Sequence, residues 1–241
     1  MMRFGMGLVA ASLAAILMAP ATFAADETPQ TGKAAEDPME GLNRITSGFN
    51  RVVRGALIDP LVDGYQAVTP QFLQDALGNA AANLNEPVTA VSSFLQGDNE
   101  NAEAATKRFF INSTLGFGGL EDKATEMGYE SRQEDLGQAA GYHGTDAGTH
   151  VVLPLLGPSN TRDLVGDVLT GLASPVPLVG KIAQQGVTYS QNQDELNGVT
   201  QGALDPYVVE RDAYEQHRQF LISNGELPGI NSTDLDVADF K

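Results

Sequence analysis

The sequence predicts an all-α fold: a single domain of short helices broken by proline and glycine. Three observations carry this. Helix-start signals recur, at Asp37-Pro38-Met39-Glu40, Asn160-Thr161-Arg162-Asp163 and Asp205-Pro206. Apolar residues after these starts recur at steps of three and four, the period of one helix face. No stretch shows a competing strand pattern with a pairing partner; Val151–Leu156 is extended in character because of Pro154 but has no evident mate.

Met1–Ala24 reads as an export signal. Arg3 gives a basic start, Leu8–Met18 an apolar centre, and Ala19–Ala24 the small residues of a cleavage site. The apolar run is shorter than the ~20 residues that cross a bilayer comfortably. Ala25–Glu36 is a polar spacer without apolar periodicity. The domain is expected over 37–225. In its first helix Asp37 suits the cap, Pro38 the first helical position and Glu40 the reciprocal capping contact. Leu42, Ile45, Phe49, Val52, Val53 and Ala56 share one face; Asn43, Arg44, Ser47, Asn50, Arg51 and Arg54 take the other. Core packing accounts for the apolar face, and interfacial membrane contact is the sharper alternative.

Asp59-Pro60 and Thr69-Pro70 predict helix breaks, Gln71–Leu84 a helix, and Asn85-Glu86-Pro87 a restart with Val88, Val91, Phe94 and Leu95 on one face. Gly97-Asp98 is a stop followed by a new start. In Asn99–Asn112 the acids come early and Lys107 and Arg108 late, as the helix dipole favours. Phe109–Leu120 is apolar, aromatic and glycine-rich, a tight hydrophobic corner or one that sits in lipid. Glu134–Gly144 carries three glycines and predicts close backbone approach. Val151–Leu156 is a second apolar corner, turning on Gly157-Pro158. Leu164, Val165, Val168, Leu169 and Leu172 form the next apolar face. Ser174–Pro177 interrupts, and Leu178–Tyr189 resumes a weaker helix. Asp205-Pro206 opens the last long helix, with Tyr207, Tyr214 and Leu221 on one stripe and Asn224-Gly225 as its stop. Glu226–Lys241 is polar and expected to be disordered.

Composition excludes several classes of function. There is no cysteine, so no disulfide, thiolate metal site or thiol catalysis. With 31 acidic and 14 basic residues the surface repels nucleic-acid phosphates, and any membrane contact is through apolar insertion rather than a basic patch. The histidines His143, His150 and His217 do not assemble a metal set with Asp146, and no cofactor motif is present. The glycines of Gly116–Gly119 do not match a dinucleotide fingerprint. Gly157-Pro158-Ser159-Asn160-Thr161 lacks the second glycine of a nucleophile elbow, so Ser159 reads as a turn or cap residue. The adjacent acids Glu121-Asp122 and Glu134-Asp135 read as solvated. No catalytic set emerges, and the chain is not expected to be an enzyme.

Four passages together resemble the MlaA (VacJ) family of outer-membrane phospholipid-handling proteins: Asp37–Asn50 (DPMEGLNRITSGFN), Asn83–Asp98 (NLNEPVTAVSSFLQGD), Arg108–Ala124 (RFFINSTLGFGGLEDKA) and Glu134–Asp163, with Asp205–Tyr214 also in keeping. The resemblance implies a flat ring of helices in the periplasmic leaflet of the outer membrane with a central amphipathic channel. It implies a trimeric porin as partner, phospholipid as cargo and a soluble periplasmic lipid carrier as recipient. On this reading Phe109, Phe110, Leu115, Phe117, Leu120, Val152, Leu153, Leu155 and Leu156 contact lipid or membrane. Many members of the family carry a lipobox cysteine; this chain has none, so it is expected not to be anchored through a lipidated cysteine. The competing reading is a soluble periplasmic binding or scaffolding protein whose apolar corners are simply core.

Overall fold

A computed structural model of the protein describes residues 37–173, 183, 185–190, 193, 197–198 and 202–225. The expected leader, spacer and C-terminal tail, and the interruption at 174–177, lie outside these residues. Met39–Lys241 form one compact unit. In it, α1 (Glu40–Val53) runs through a π-helical turn (Arg54–Ile58) into α2 (Asp59–Val68). Then come α3 (Gln71–Gln96), α4 (Asn99–Thr114), α5 (Lys123–Glu126) and α6 (Leu136–Tyr142). A two-stranded antiparallel hairpin, β1 (His150–Leu153) and β2 (Gly157–Asn160), precedes α7 (Thr161–Ala173) and, later, α8 (Pro206–Ile222).

Much of the local chemistry is as expected. Thr69 is extended before Pro70 and ends α2. Gly97, in the left-handed region at φ +83°, ends α3. Asp98 caps α4 by accepting from the Asn101 amide at 3.0 Å, and Asp205 caps α8 through the Val208 amide. Asn160 and Asp163 form the reciprocal box at the start of α7, with Asp163 N–H to Asn160 Oδ1 at 2.9 Å and Asn160 Nδ2 to Asp163 Oδ2 at 2.8 Å.

Four expectations are corrected. The first helix starts at Glu40, because the Asn43 amide closes the first turn on the Met39 carbonyl rather than on Asp37. Asp59-Pro60 does not break the chain's helical path. Pro60 lacks a donor, and the widened π turn just before it absorbs the mismatch. Asn85-Glu86-Pro87 is no restart either, because α3 continues through Pro87. Val151–Leu156 does have a partner: His150 pairs with Asn160 and Leu153 with Gly157. The second strand, Gly-Pro-Ser-Asn, has no strand propensity of its own.

The interior is polar. Among the described residues the buried hydrophobics are four alanines, at 81, 105, 124 and 139, and Tyr207. Asn43, Ser47, Thr89, Ser92, Ser93 and Asn160 are fully buried, while Ile45, Phe49, Val52, Phe72, Val91, Phe94, Leu169 and Leu172 are exposed. The amphipathic faces read in α1, α3 and α7 are therefore real but point outward, whereas the Tyr207–Tyr214–Leu221 stripe of α8 faces the interior. In α1, Asn43 is 1% exposed and Ile45 is 72% exposed. Among the described residues no helix is long and apolar enough to cross a membrane.

Candidate functional site

Two arginine-centred networks hold the polar interior together. In the first, Arg218 of α8 lies between two carboxylates from distant parts of the chain. It donates Nη1 and Nη2 to Asp135 at 2.8 and 3.0 Å, and Nη2 to Asp163 at 2.9 Å. Asp163 also accepts from the Tyr214 hydroxyl at 2.7 Å and from Arg162 Nε at 3.0 Å. Burial works against its charge, but Arg218, Tyr214 and Arg162 outweigh that and hold its carboxyl below the usual carboxylate range. Asp163 reaches this position because α6 and α7 cross at Gly137 and Gly166. A Cβ on Gly137 would stand 2.4 Å from Asp163 Oδ1, and one on Gly166 would stand 2.6 Å from the Gly137 amide nitrogen.

In the second network Arg108 of α4 donates Nε to Glu86 at 2.6 Å, Nη1 to Thr125 and to the Tyr129 carbonyl, and Nη2 to Asp122 at 3.2 Å. Burial nevertheless keeps Glu86 above the ordinary carboxylate range. Glu134 is buried nearby, accepting from Gln96 at 2.8 Å and Gln138 at 2.5 Å. Burial raises it too, and the Gln96 amide offsets only part of that. Glu134 is thus buried, and Asp135 and Asp122 are half-buried and hydrogen-bonded, rather than the solvated acids their adjacency suggests; Glu121 alone of the four is exposed.

The apolar corners are docked on this frame at two separate helices. The end of α4 turns back through Phe117, Gly118 and Gly119, all at positive φ. Gly119 lies so close to Asn83 of α3 that a Cβ would meet its side chain at 2.8 Å, and Asn79 Nδ2 donates to the Leu120 carbonyl. This leaves Phe110, Leu115, Phe117 and Leu120 exposed, with Phe109 half-buried and edge-on to Phe110 at 5.6 Å between ring centres. At the hairpin, Val152 and Leu153 are half-buried while Leu155 and Leu156 stand exposed at the tip, Leu155 at φ +68°. Ser159 is buried on β2.

The hairpin is held by a device the sequence reading did not contain. Asn43 donates Nδ2 to the His150 carbonyl at 3.0 Å and accepts from the Val152 amide at 2.9 Å. Two helical turns on, Asn50 donates to the Leu153 carbonyl at 2.9 Å and accepts from the Leu155 amide at 2.8 Å. Two side-chain amides on α1 so take the place of a neighbouring strand along the outer edge of β1. On the other side of His150, its Nδ1 lies 3.1 Å from Glu215 of α8, and the ring packs edge-on to Tyr207 and Tyr214. The usable signal was the spacing of seven between two asparagines on a face otherwise assigned to solvent.

A hydrogen-bonded polar interior beneath outward apolar helix faces defines a class: a helical protein whose outer surface is not built for water alone. Residues 35–221 match the family described as MlaA lipoprotein, and the chain belongs to that family. It is 33% identical over 232 residues to the intermembrane phospholipid transport system lipoprotein MlaA of Escherichia coli (strain K12), covering 90% of this chain and 91% of that protein. It is 30% identical to the protein of the same name from Haemophilus influenzae, over 89% and 91% of the two chains. A solved structure reported under "Structural basis for maintenance of bacterial outer membrane lipid asymmetry" superposes with a TM-score of 0.69 at 29% identity, covering 77% of this chain and 98% of that one.

Proposed function

We propose that this chain, exported by its leader, lies in the periplasmic leaflet of a bacterial outer membrane. There it removes mislocalised phospholipid from the outer leaflet and so maintains lipid asymmetry. Its helices form a flat ring around an amphipathic channel through which the lipid passes to a soluble periplasmic carrier, and a trimeric porin is its neighbour in the membrane. The observation that carries the reading is the inverted polarity of the domain. Exposed Ile45, Phe94, Phe117 and Leu169 surround an interior of asparagine, serine, glutamine and paired charge. Such faces need hydrocarbon, and helices too short or too polar to cross the bilayer meet it by lying in the interface. The relatives' role in intermembrane phospholipid transport supports the cargo.

The membrane-contacting residues of this reading are Phe109, Phe110, Leu115, Phe117, Leu120, Val152, Leu153, Leu155 and Leu156. The test is outer-leaflet phospholipid exposure in cells lacking the chain, with and without a plasmid copy. Surface phospholipid should rise on deletion and fall on complementation, and Phe117→Asp or Leu155→Asp at normal protein level should complement poorly. Unchanged surface phospholipid in the deletion, with no second gene of the family present, would overturn the reading.

A further inference from the structure

The described cations are paired almost throughout. Arg44, Arg51, Lys107, Arg108, Lys123, Arg132, Arg162, Arg211 and Arg218 each have a carboxylate within 4.0 Å. Arg54 is the exception among the described residues, in a chain of formal charge −17. Its guanidinium lies over the ring of Tyr189, 5.6 Å from the centroid. The nearby acid, Asp59, is engaged by the Tyr189 hydroxyl and by Asn197 Nδ2 at 3.5 Å. Contact with the face of a tyrosine ring attracts a guanidinium without consuming its N–H donors.

One helical turn on from Arg54 an apolar groove begins. Ile58, Leu61, Val62, Tyr65, Leu77 and Val187 line it, and it encloses about 410 Å³. That lies within the ~300–1,000 Å³ of ordinary small-molecule sites. A larger groove of about 650 Å³ between α3 and α4 has Lys107 at its side, but Lys107 is held by Glu103 at 2.6 Å, so its charge is already compensated. Of these two grooves, the one beside Arg54 joins an apolar trough to a cation with no carboxylate within 4.0 Å among the described residues.

We propose that Arg54 and this groove bind one phospholipid molecule, the guanidinium on the phosphodiester and an acyl chain along Ile58, Leu61 and Leu77. The proposal rests on the phospholipid-handling reading above and gives it a specific residence for the cargo. A planar fork of donors matches two phosphate oxygens, and the groove accepts the chain that an inorganic phosphate lacks. The site recognises phosphate with one charge and no headgroup-specific contact, so it takes phospholipids of differing headgroup.

The test uses the full mature chain in non-ionic detergent, titrated with dioleoyl phosphatidylglycerol, dioleoyl phosphatidylethanolamine or dioleoylglycerol and read by native mass spectrometry. Wild type should retain one copy of either phospholipid and little dioleoylglycerol. Arg54→Gln should weaken phospholipid retention by about tenfold, the loss of one charge-assisted pair, and Arg54→Lys should restore part of it. Val62→Trp, which fills the trough while leaving Arg54 in place, should weaken it as well. Retention unchanged in Arg54→Gln, or dioleoylglycerol held as well as the phospholipids, overturns the site. The surface-exposure assay on deletion cells is independent of this one. A null result there with Arg54-dependent retention here removes the transport reading and leaves the lipid site; the converse removes the site alone.

Discussion

The inner and outer faces of α1 differ in what they are bonded to. Asn43, Ser47 and Asn50 point inward and each has a named partner: the hairpin backbone for the two asparagines, Glu210 at 2.5 Å for the serine. Leu42, Ile45, Phe49 and Val52 point outward and are exposed. The same division runs through α3 and α7, where Ser92, Ser93 and Thr170 are inside and Phe94, Val168 and Leu172 outside. In a water-soluble helix the apolar face supplies stability and the polar face solubility. Here directional polar contacts specify the fold, and the apolar face is left to specify where the protein resides. Interior substitutions should therefore be read in stability, outer ones in location.

The largest effect is expected at Arg218. Arg218→Met leaves Asp135 without its paired cation and Asp163 with Arg162 alone, and breaking a buried pair in this way costs about 3–5 kcal/mol. Denaturant unfolding in detergent micelles measures it, and a loss under 1 kcal/mol would break the distinction between the faces. Next come the clasp residues. Asn43→Ala or Asn50→Ala strands one amide and one carbonyl of the hairpin, each change costing roughly 1–3 kcal/mol. Hydrogen exchange should quicken at Val152 for the first variant and at Leu155 for the second, with α4 amides unaffected.

A smaller effect separates two interior carboxylates by sign. Asp163 is depressed in the fold, so its contribution is complete above the ordinary carboxylate range near ~4 and is lost as pH falls through its folded value. Glu134 is raised, so its ionised form opposes folding at neutral pH, and that opposition fades as pH falls through its folded value. Asp163→Asn should flatten the acid limb of the stability curve below ~4, while Glu134→Gln should change the slope just above it in the opposite sense, within about 1 kcal/mol at pH 7. The smallest stability effect is expected outside. Ile45→Ser or Phe94→Ser should shift unfolding in detergent by less than ~0.5 kcal/mol. Each should nonetheless reduce co-flotation with phospholipid vesicles, because each removes an exposed apolar side chain worth about 1.5–3 kcal/mol when buried.

The sequence showed what local chemistry decides. Asp98, Asp205 and the Asn160–Asp163 box bond within four residues of themselves, so they cap where they were expected to. The glycines of Glu134–Gly144 were legible as close approach, which Gly137 and Gly141 make. Periodicity could show which residues of α1 share a face, but the pattern is the same whether that face meets core or lipid, and core packing was only one of the two readings. The hairpin was illegible because its register is enforced by amides more than a hundred residues upstream. Pro87 misled because a proline's missing donor is tolerated when neighbouring helices hold the chain on course. Arg54 was unremarkable among six polar residues until the other cations were seen to be paired.

The asparagine clasp has one further consequence. The outer margin of β1 would otherwise present open backbone donors and acceptors, the template on which extended chains add to one another. Asn43 and Asn50 occupy those positions from a helix, so the β1 edge is closed without a third strand, a charge or a proline on it. With leucines exposed at the hairpin tip, the chain thereby shuts off strand-by-strand self-assembly along this edge as soon as α1 docks.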